Sequence, residues 1–269
     1  MCQEMKKYLL FFKNSFEEVL VYRANLAFGF FLKLITFLAF IFIWRQIASE
    51  GNEIEGYGLD GIILYYLLTQ TIDSVYSSNC ARLLREDILS GNLSGRLVRP
   101  FSKIFYYFAK QVAQVIVEGF IHIILTLPVL IVLPDIFMNL DISLSSVLLF
   151  IISIIMAMIF SFSLFFSIGI ISFWTKQSGG LQMVVKNAAR ILTGDLIPLD
   201  LLPFTFRRFV LFTPFAYILY FPIKIIMGGI SNAEIVRSFI IVIIWISIFN
   251  FLNLVLWKKG LKKYEAVGI

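Results

Sequence analysis

Apolar positions in this chain come in long continuous runs separated by short polar ones, unlike the alternation of a strand or the single stripe of a surface helix. A run of about 20 mostly apolar residues crosses a bilayer as a helix. Such runs are predicted at about Asn25–Arg45, Leu59–Asn79, Val112–Leu133, Ser145–Trp174, Leu181–Ile197 and Val236–Trp257. The second is diluted by Gln70, Thr71, Asp73 and several serines, and the fifth carries Lys186, Asn187, Arg190 and Asp195. Residues 1–23 instead interleave Lys6, Lys7, Lys13, Glu17, Glu18 and Arg23 with Leu9, Phe12, Phe16 and Leu20, the pattern of an interfacial helix. Residues 198–231 are apolar but cut by Pro198, Pro203, Pro214, Pro222 and Gly228-Gly229, too often for one helix. They read as short broken helices re-entering the membrane, tolerable only where protein covers their freed backbone groups. The expected fold is an all-α integral membrane protein with six transmembrane helices in one domain spanning residues 1–269.

Composition sharpens this expectation. The chain is 59% hydrophobic and 15% charged, against about 45–50% and 25% for a soluble domain, and its mean hydropathy is +0.89. It cannot cover itself with a polar surface. The net charge of +6 raises nucleic acid as a partner, but the basic residues sit at the ends of apolar runs and report orientation instead. Lys and Arg gather at the amino terminus, in the connection 82–110 (Arg82, Arg85, Arg96, Arg99, Lys103, Lys110), at Lys176, and in the tail at Lys258, Lys259, Lys262 and Lys263. The loops around Glu50–Glu55 and Pro134–Asp141 hold none, and the broken stretch holds Arg207, Arg208 and Lys224. The positive-inside rule then puts both termini in the cytoplasm and residues 198–231 outside. Cys2 and Cys80 both fall on cytoplasmic segments, so no disulfide framework is expected.

Catalytic signals are sparse. There is no G-x-x-x-x-G-K-[ST] loop and no Gly-Lys dipeptide, so nucleotide phosphates are not expected to bind here. The sole histidine, His122, shares a helix face with Glu118. That pair reads either as a buried polar contact between helices or as a hydrolytic pair lacking a positioned third partner. No catalytic residue and no metal site is assigned. Charges inside spans are costly and functional by default. Asp73, Glu118, Lys186, Arg190 and Asp195 therefore either pair as structural glue or, with His122, line a hydrated path; Lys33 and Arg45 are expected to snorkel.

The connection after the second span reads Arg82-Leu83-Leu84-Arg85-Glu86-Asp87-Ile88-Leu89-Ser90-Gly91-Asn92-Leu93-Ser94-Gly95-Arg96-Leu97-Val98-Arg99-Pro100. Leu83, Leu84, Ile88 and Leu89 recur at helical spacing, so a short amphipathic helix should end near Gly91, a residue suited to a carboxyl cap. Physically, it is either an interfacial anchor or a docking surface. Glu86, Gly91, Leu93, Leu97 and Pro100 resemble the E-x-G-T-L motif and following proline of type-two ATP-binding-cassette (ABC) permeases, with Asn92 where threonine is usual and one extra residue between glutamate and glycine. The break from Thr193 to Pro203, with Gly194, Pro198 and Pro203, and the tail Gly260–Gly268 are similar to the same family, in a bacterial subfamily of uncharacterised permeases.

The resemblance implies that 82–110 is a coupling loop, docked through Arg85, Glu86, Asp87, Gly91, Leu93, Leu97, Arg99 and Pro100 on separate cassette ATPase subunits that bind ATP and Mg. It implies no cofactor in this chain, a second permease chain, homo- or heterodimeric, and a bacterial cell membrane. Export of a hydrophobic drug, antibiotic or peptide is the leading expectation. A lipid-linked glycan exporter, an intramembrane enzyme using Glu118 and His122, and a stand-alone channel are the alternatives. Trp44, Trp174, Trp245 and Trp257 lie near span ends or in lipid-type runs, which disfavours a sugar path.

Overall fold

In a computed structural model, residues 13–17, 21, 23–48, 58–76, 79–98, 102–132, 143–175 and 178–264 are described. The described residues form helices and no strands. In chain order these are α1 (Arg23–Ala48), α2 (Leu59–Ile72), α3 (Cys80–Leu89), α4 (Asn92–Leu97), α5 (Lys103–Val132), α6 (Leu144–Ile170), α7 (Ser178–Leu192), α8 (Phe204–Phe212), α9 (Tyr220–Met227) and α10 (Asn232–Lys263). Single 3-10 turns occupy Asp73–Val75, Ile171–Phe173, Leu199–Leu201 and Phe215–Tyr217. The amino-terminal interfacial helix lies mostly outside the described residues, as do the acidic loop 49–57 and residues 133–142.

Two helices, Leu144–Phe173 and Asn232–Lys263, are long and apolar enough to cross a membrane among the described residues. They also form the centre of the packing, α6 against α10, with α3 and α9 laid on other faces of α6. Their seam carries polar contacts: Asn253 Nδ2 donates to the Ser163 carbonyl at 2.8 Å, and Ser167 Oγ donates to Asn253 Oδ1 at 2.7 Å. Small and hydroxyl residues let helices approach closely and hydrogen-bond in lipid. Gly169 does the same for α3, since a Cβ there would lie 3.1 Å from the Ala81 Cα. Both helices start on capped serines. Ser143 accepts from the Ser146 amide, and Ser231 forms a full capping box with Glu234.

Two runs end well before the sequence reading placed their ends. The second run, expected to reach Asn79, leaves the α-helix at Ile72 and tightens into the 3-10 turn at Asp73. Asp73 opens that turn with its amide still bonded to the Thr69 carbonyl, and its side chain pairs with Lys33 on α1. The fifth run, expected to reach Ile197, ends at Leu192. There the Asp195 and Leu196 amides both turn back to the Arg190 carbonyl, at 3.1 and 3.3 Å, across Gly194 at φ +83°. That φ is readily adopted only by glycine. With 15 residues, α7 is about 22 Å long, less than the roughly 30 Å of a hydrocarbon core.

Residues 198–231 are a series of short helices, as their prolines predict. Pro198 and Pro203 each stand immediately before a new element, with ψ of 134° and 139°. The freed carbonyls are covered by aromatic donors. Tyr65 Oη donates to the Gly194 carbonyl at 2.7 Å, Tyr66 Oη to that of Leu196, Tyr217 Oη to that of Leu211 at 2.5 Å, and Trp245 Nε1 to that of Phe212 at 3.3 Å. Asp200 joins three pieces, accepting from Arg207 at 2.6 Å, Tyr220 Oη at 2.7 Å and Lys224 at 3.2 Å. The segment is packed into the largest apolar core, with Leu199, Val210, Ala216, Leu219 and Ile223 fully buried.

Candidate functional site

Two places gather the residues that sequence reasoning singled out. The first is an elbow made of α3 and α4. Gly91 sits between them at φ +79°, closing α3 and opening α4. The inner side of the elbow is locked. Asp87 accepts from Arg96 Nη2 at 3.0 Å and from Tyr107 Oη at 2.7 Å, with Arg96 Nε ion-paired 2.6 Å away, and the Arg96 guanidinium lies 4.3 Å over the Tyr106 ring. Burial, and then the Asp87 carboxylate, push the Tyr107 phenol up, so it stays a donor. Leu93 is 0% exposed, Leu97 is half-buried in the same apolar cluster as Leu84, Ile88 and Phe166, and Ser94 Oγ lies 3.2 Å from Tyr264 Oη at the end of α10.

The outer side is free of such locks. Glu86 pairs only at the surface with Arg82, 3.1 Å away on the next turn, Asn92 is exposed, and Val98 is 86% exposed. Arg85 lies across the start of α7, where a Cβ on Gly179 would stand 2.2 Å from its guanidinium. Of the residues expected to dock a partner, Glu86 therefore faces outward, Asp87 and Leu93 face inward, and Arg99 and Pro100 lie outside the described residues. Arg96 and Tyr107, which hold Asp87, were not singled out from the sequence.

The second place is a polar cluster between helices. Lys33 Nζ lies 2.6 Å from Asp73 Oδ2 and donates to His122 Nε2 at 3.0 Å. Lys33 is thus a half-buried tie between α1, α5 and the Asp73 turn; the expectation that it snorkels is corrected, because a carboxylate stands within reach of its ammonium. Arg190 Nε donates to Asp195 Oδ2 at 2.8 Å. Of the expected path residues, Asp73 and His122 are joined through Lys33, Arg190 is paired with Asp195, and Glu118 is tied to Gln114.

Glu118 accepts from Gln114 at 2.7 Å, and Gln114 in turn accepts from Asn79 at 3.0 Å, the residue before α3. These two bonds tie Glu118 on α5 to the start of the elbow. His122 and Glu118 face different partners rather than forming a dyad. Among the described residues, no group of three or more His, Cys, Asp or Glu is placed to hold a metal ion.

Residues 33–268 match the family model described as ABC-2 family transporter protein. The chain belongs to the ABC-2 transporter family. No curated protein matches it. As an ABC-2 protein it is a membrane permease subunit that works with an ATPase subunit.

Proposed function

We propose that this ABC-2 permease is the transmembrane half-unit of an exporter, six crossings per chain, with both termini and the α3–α4 elbow in the cytoplasm of a bacterium. The observation that carries the reading is the elbow's two-sidedness. Its inner face is bolted to α5, α6 and α10 through Asp87, Leu93 and Ser94, so a push on its outer face at Glu86, Asn92 and Val98 is passed to the bundle as a rigid-body movement. ATP and Mg bind in the separate ATPase subunits, whose closure would supply that push. The link from Asn79 through Gln114 then carries it to Glu118 on α5.

The fifth crossing is α7 completed by the broken segment. The Trp245 bond to Phe212 supports re-entry, because it joins α8 to α10 about 20 Å along α10 from its outer start. The ion network, partly exposed at mid-span, faces a path shared with a second permease chain, because charge does not face hydrocarbon. A sugar-lined path is disfavoured: Trp44 packs against Tyr66, and Trp257 against Phe166 and Phe173.

The test is recovery of the full chain from its native membrane, with mass spectrometry of what remains bound and an ATPase assay. The expected result is a cassette ATPase and a second permease chain, the ATPase being lost in Glu86→Lys/Val98→Asp while the thermal melt of the chain is unchanged. A stable chain recovered alone would overturn the reading.

A further inference from the structure

His122 is the one histidine of the chain, and at 4% exposure it is buried where Lys33 of α1 reaches α5. Its Nε2 lies 3.0 Å from Lys33 Nζ, and the same ammonium pairs with Asp73 Oδ2 at 2.6 Å. An ammonium has only protons to give, so Nε2 accepts and the single ring proton is on Nδ1. The cluster then balances, one cation against one carboxylate. A second proton on the ring would set two cations against Asp73, and Nε2, now a donor, would face the ammonium hydrogen to hydrogen. The charged groups that face the ring are Lys33 from α1 and Asp73 from the turn after α2; on α5 itself Glu118 stands four residues earlier, bonded to Gln114. Lys33 has room to leave, since its side chain is 26% exposed. The apolar hold on α1 comes later in the helix, from Phe37 to Trp44 against α2, with the Phe40 ring stacked on Tyr66 at 4.4 Å. Phe28, Phe31 and Leu32 are exposed, so Lys33 fastens α1 ahead of its apolar contacts. Gln111, Gln114, Glu118 and His122 follow one face of α5, a polar stripe that leads to the ring from the side of the elbow, where Asn79 is bonded to it.

We propose that His122 is a proton-binding site that latches α1: a neutral ring holds Lys33 and fastens α1 to α5, and a protonated ring expels Lys33 and frees the part of α1 that precedes Phe37. The incoming proton is taken from water by way of the polar stripe and sits on Nε2. Lys33 keeps its own proton and turns to Asp73 or to the exposed side. An acidic medium therefore opens the seam between α1 and α5, and a neutral one closes it. The latch goes beyond the permease reading and does not depend on it, because every group it uses belongs to this chain.

A single histidine makes the test direct. The full chain, purified on a histidine-free affinity tag, is placed in neutral phosphatidylcholine nanodiscs with its histidine isotopically labelled at the ring nitrogens. Nuclear magnetic resonance follows those nitrogens from about pH 8 to about pH 4, a range that brackets the ordinary histidine value of about 6.5. A second sample carries spin labels at the exposed positions Phe28→Cys on α1 and Ile116→Cys on α5, with Cys2→Ser and Cys80→Ala, and reports the distance between the helices over the same range. The expected result is a ring proton on Nδ1 at the alkaline end, a second proton on Nε2 at the acid end, and a lengthening of about 2 Å or more with the same midpoint. His122→Gln still accepts from Lys33 but takes no proton, so the distance should stay short throughout. A lengthening that persists in His122→Gln is the work of a carboxylate and overturns the proposal. So does a ring proton on Nε2 at the alkaline end, a ring that stays neutral to the acid end, or a protonated ring with α1 unmoved. Should His122→Gln fail to fold, the parent chain alone decides, because its two titrations must share one midpoint.

Discussion

Gly194→Ala tests the joint between α7 and the broken segment. Gly194 has φ +83°, and a Cβ built there would stand 2.5 Å from Tyr65 Oη, while the nearest atoms of Leu199 and Tyr220 are at an ordinary 3.4 Å. Two costs therefore add. A left-handed backbone costs a residue with a Cβ about 1–2 kcal/mol. The Tyr65 hydroxyl must also leave the Gly194 carbonyl, which it now meets at 2.7 Å in a buried place, at about 1–3 kcal/mol for the unmet groups. Gly194→Ala should thus cost about 2–5 kcal/mol. Tyr65→Phe removes the same hydrogen bond without backbone strain and should cost about 1–3 kcal/mol.

The double variant separates these contributions. Because both single changes lose one shared hydrogen bond, their costs should sum to more than the cost of Gly194→Ala/Tyr65→Phe, the excess being about the value of that bond. Unfolding by sodium dodecyl sulfate in mixed micelles, followed by circular dichroism at far-ultraviolet wavelengths, measures all three. Strict additivity, or a Gly194→Ala variant within about 0.5 kcal/mol of the parent, would refute the account of this joint as a glycine held by a tyrosine.

Further outcomes follow from neighbouring geometry. Asp87→Ala strands Arg96 and Tyr107 against a buried vacancy and should cost about 3–5 kcal/mol in the same unfolding assay, while Glu86→Ala, which breaks only a surface pair, should cost less than about 1 kcal/mol. Lys33→Met leaves Asp73 without its cation and should destabilise strongly, whereas Lys33→Met/Asp73→Leu should recover most of that loss, read as the shift in the detergent midpoint. The Ser231 amide and hydroxyl hold the exposed Glu234 carboxyl below the usual carboxylate range. Because its folded value is the lower one, its contribution is complete above the unfolded carboxylate value and is lost as pH falls through the folded value. Glu234→Gln should therefore flatten the acid side of the stability profile measured by thermal scans, and an unchanged acid limb would refute the capping assignment.

The features readable from sequence were those that the backbone announces locally. Pro198, Pro203 and Pro214 forbid a continuous helix wherever they fall, and Gly91 marks the end of α3 because a helix stop there needs positive φ. The partners that make these breaks tolerable were not readable. Tyr65 and Tyr66 cover carbonyls some 130 residues further along, at Gly194 and Leu196, and nothing in an apolar run distinguishes a tyrosine that caps a distant break from one that faces lipid. Lys33 was misjudged for the same reason. Its nearest charges in sequence are remote, and only the fold brings Asp73 and His122 to it.

Glu86 and Asp87 show where local reasoning had more to give. Adjacent residues on a helix point about 100° apart, so a motif that treats both acids alike as docking groups cannot be right in geometry. The apolar residues set the phase: Cys80, Ala81, Leu84 and Ile88 are buried, and Asp87 lies on their side of the helix, whereas Arg82, Glu86 and Ser90 share the exposed one. A carboxylate forced inward by that phase requires a cation or donor at its own level, and Arg96 and Tyr107 satisfy it. The same logic assigns the elbow's energetics. Changes at the inward acid act on stability and reach the partner only through the fold, while changes at the outward one leave the fold intact and act on the partner directly. Comparing the two single substitutions for ATPase recovery at matched thermal stability therefore distinguishes a docking surface from a structural corner.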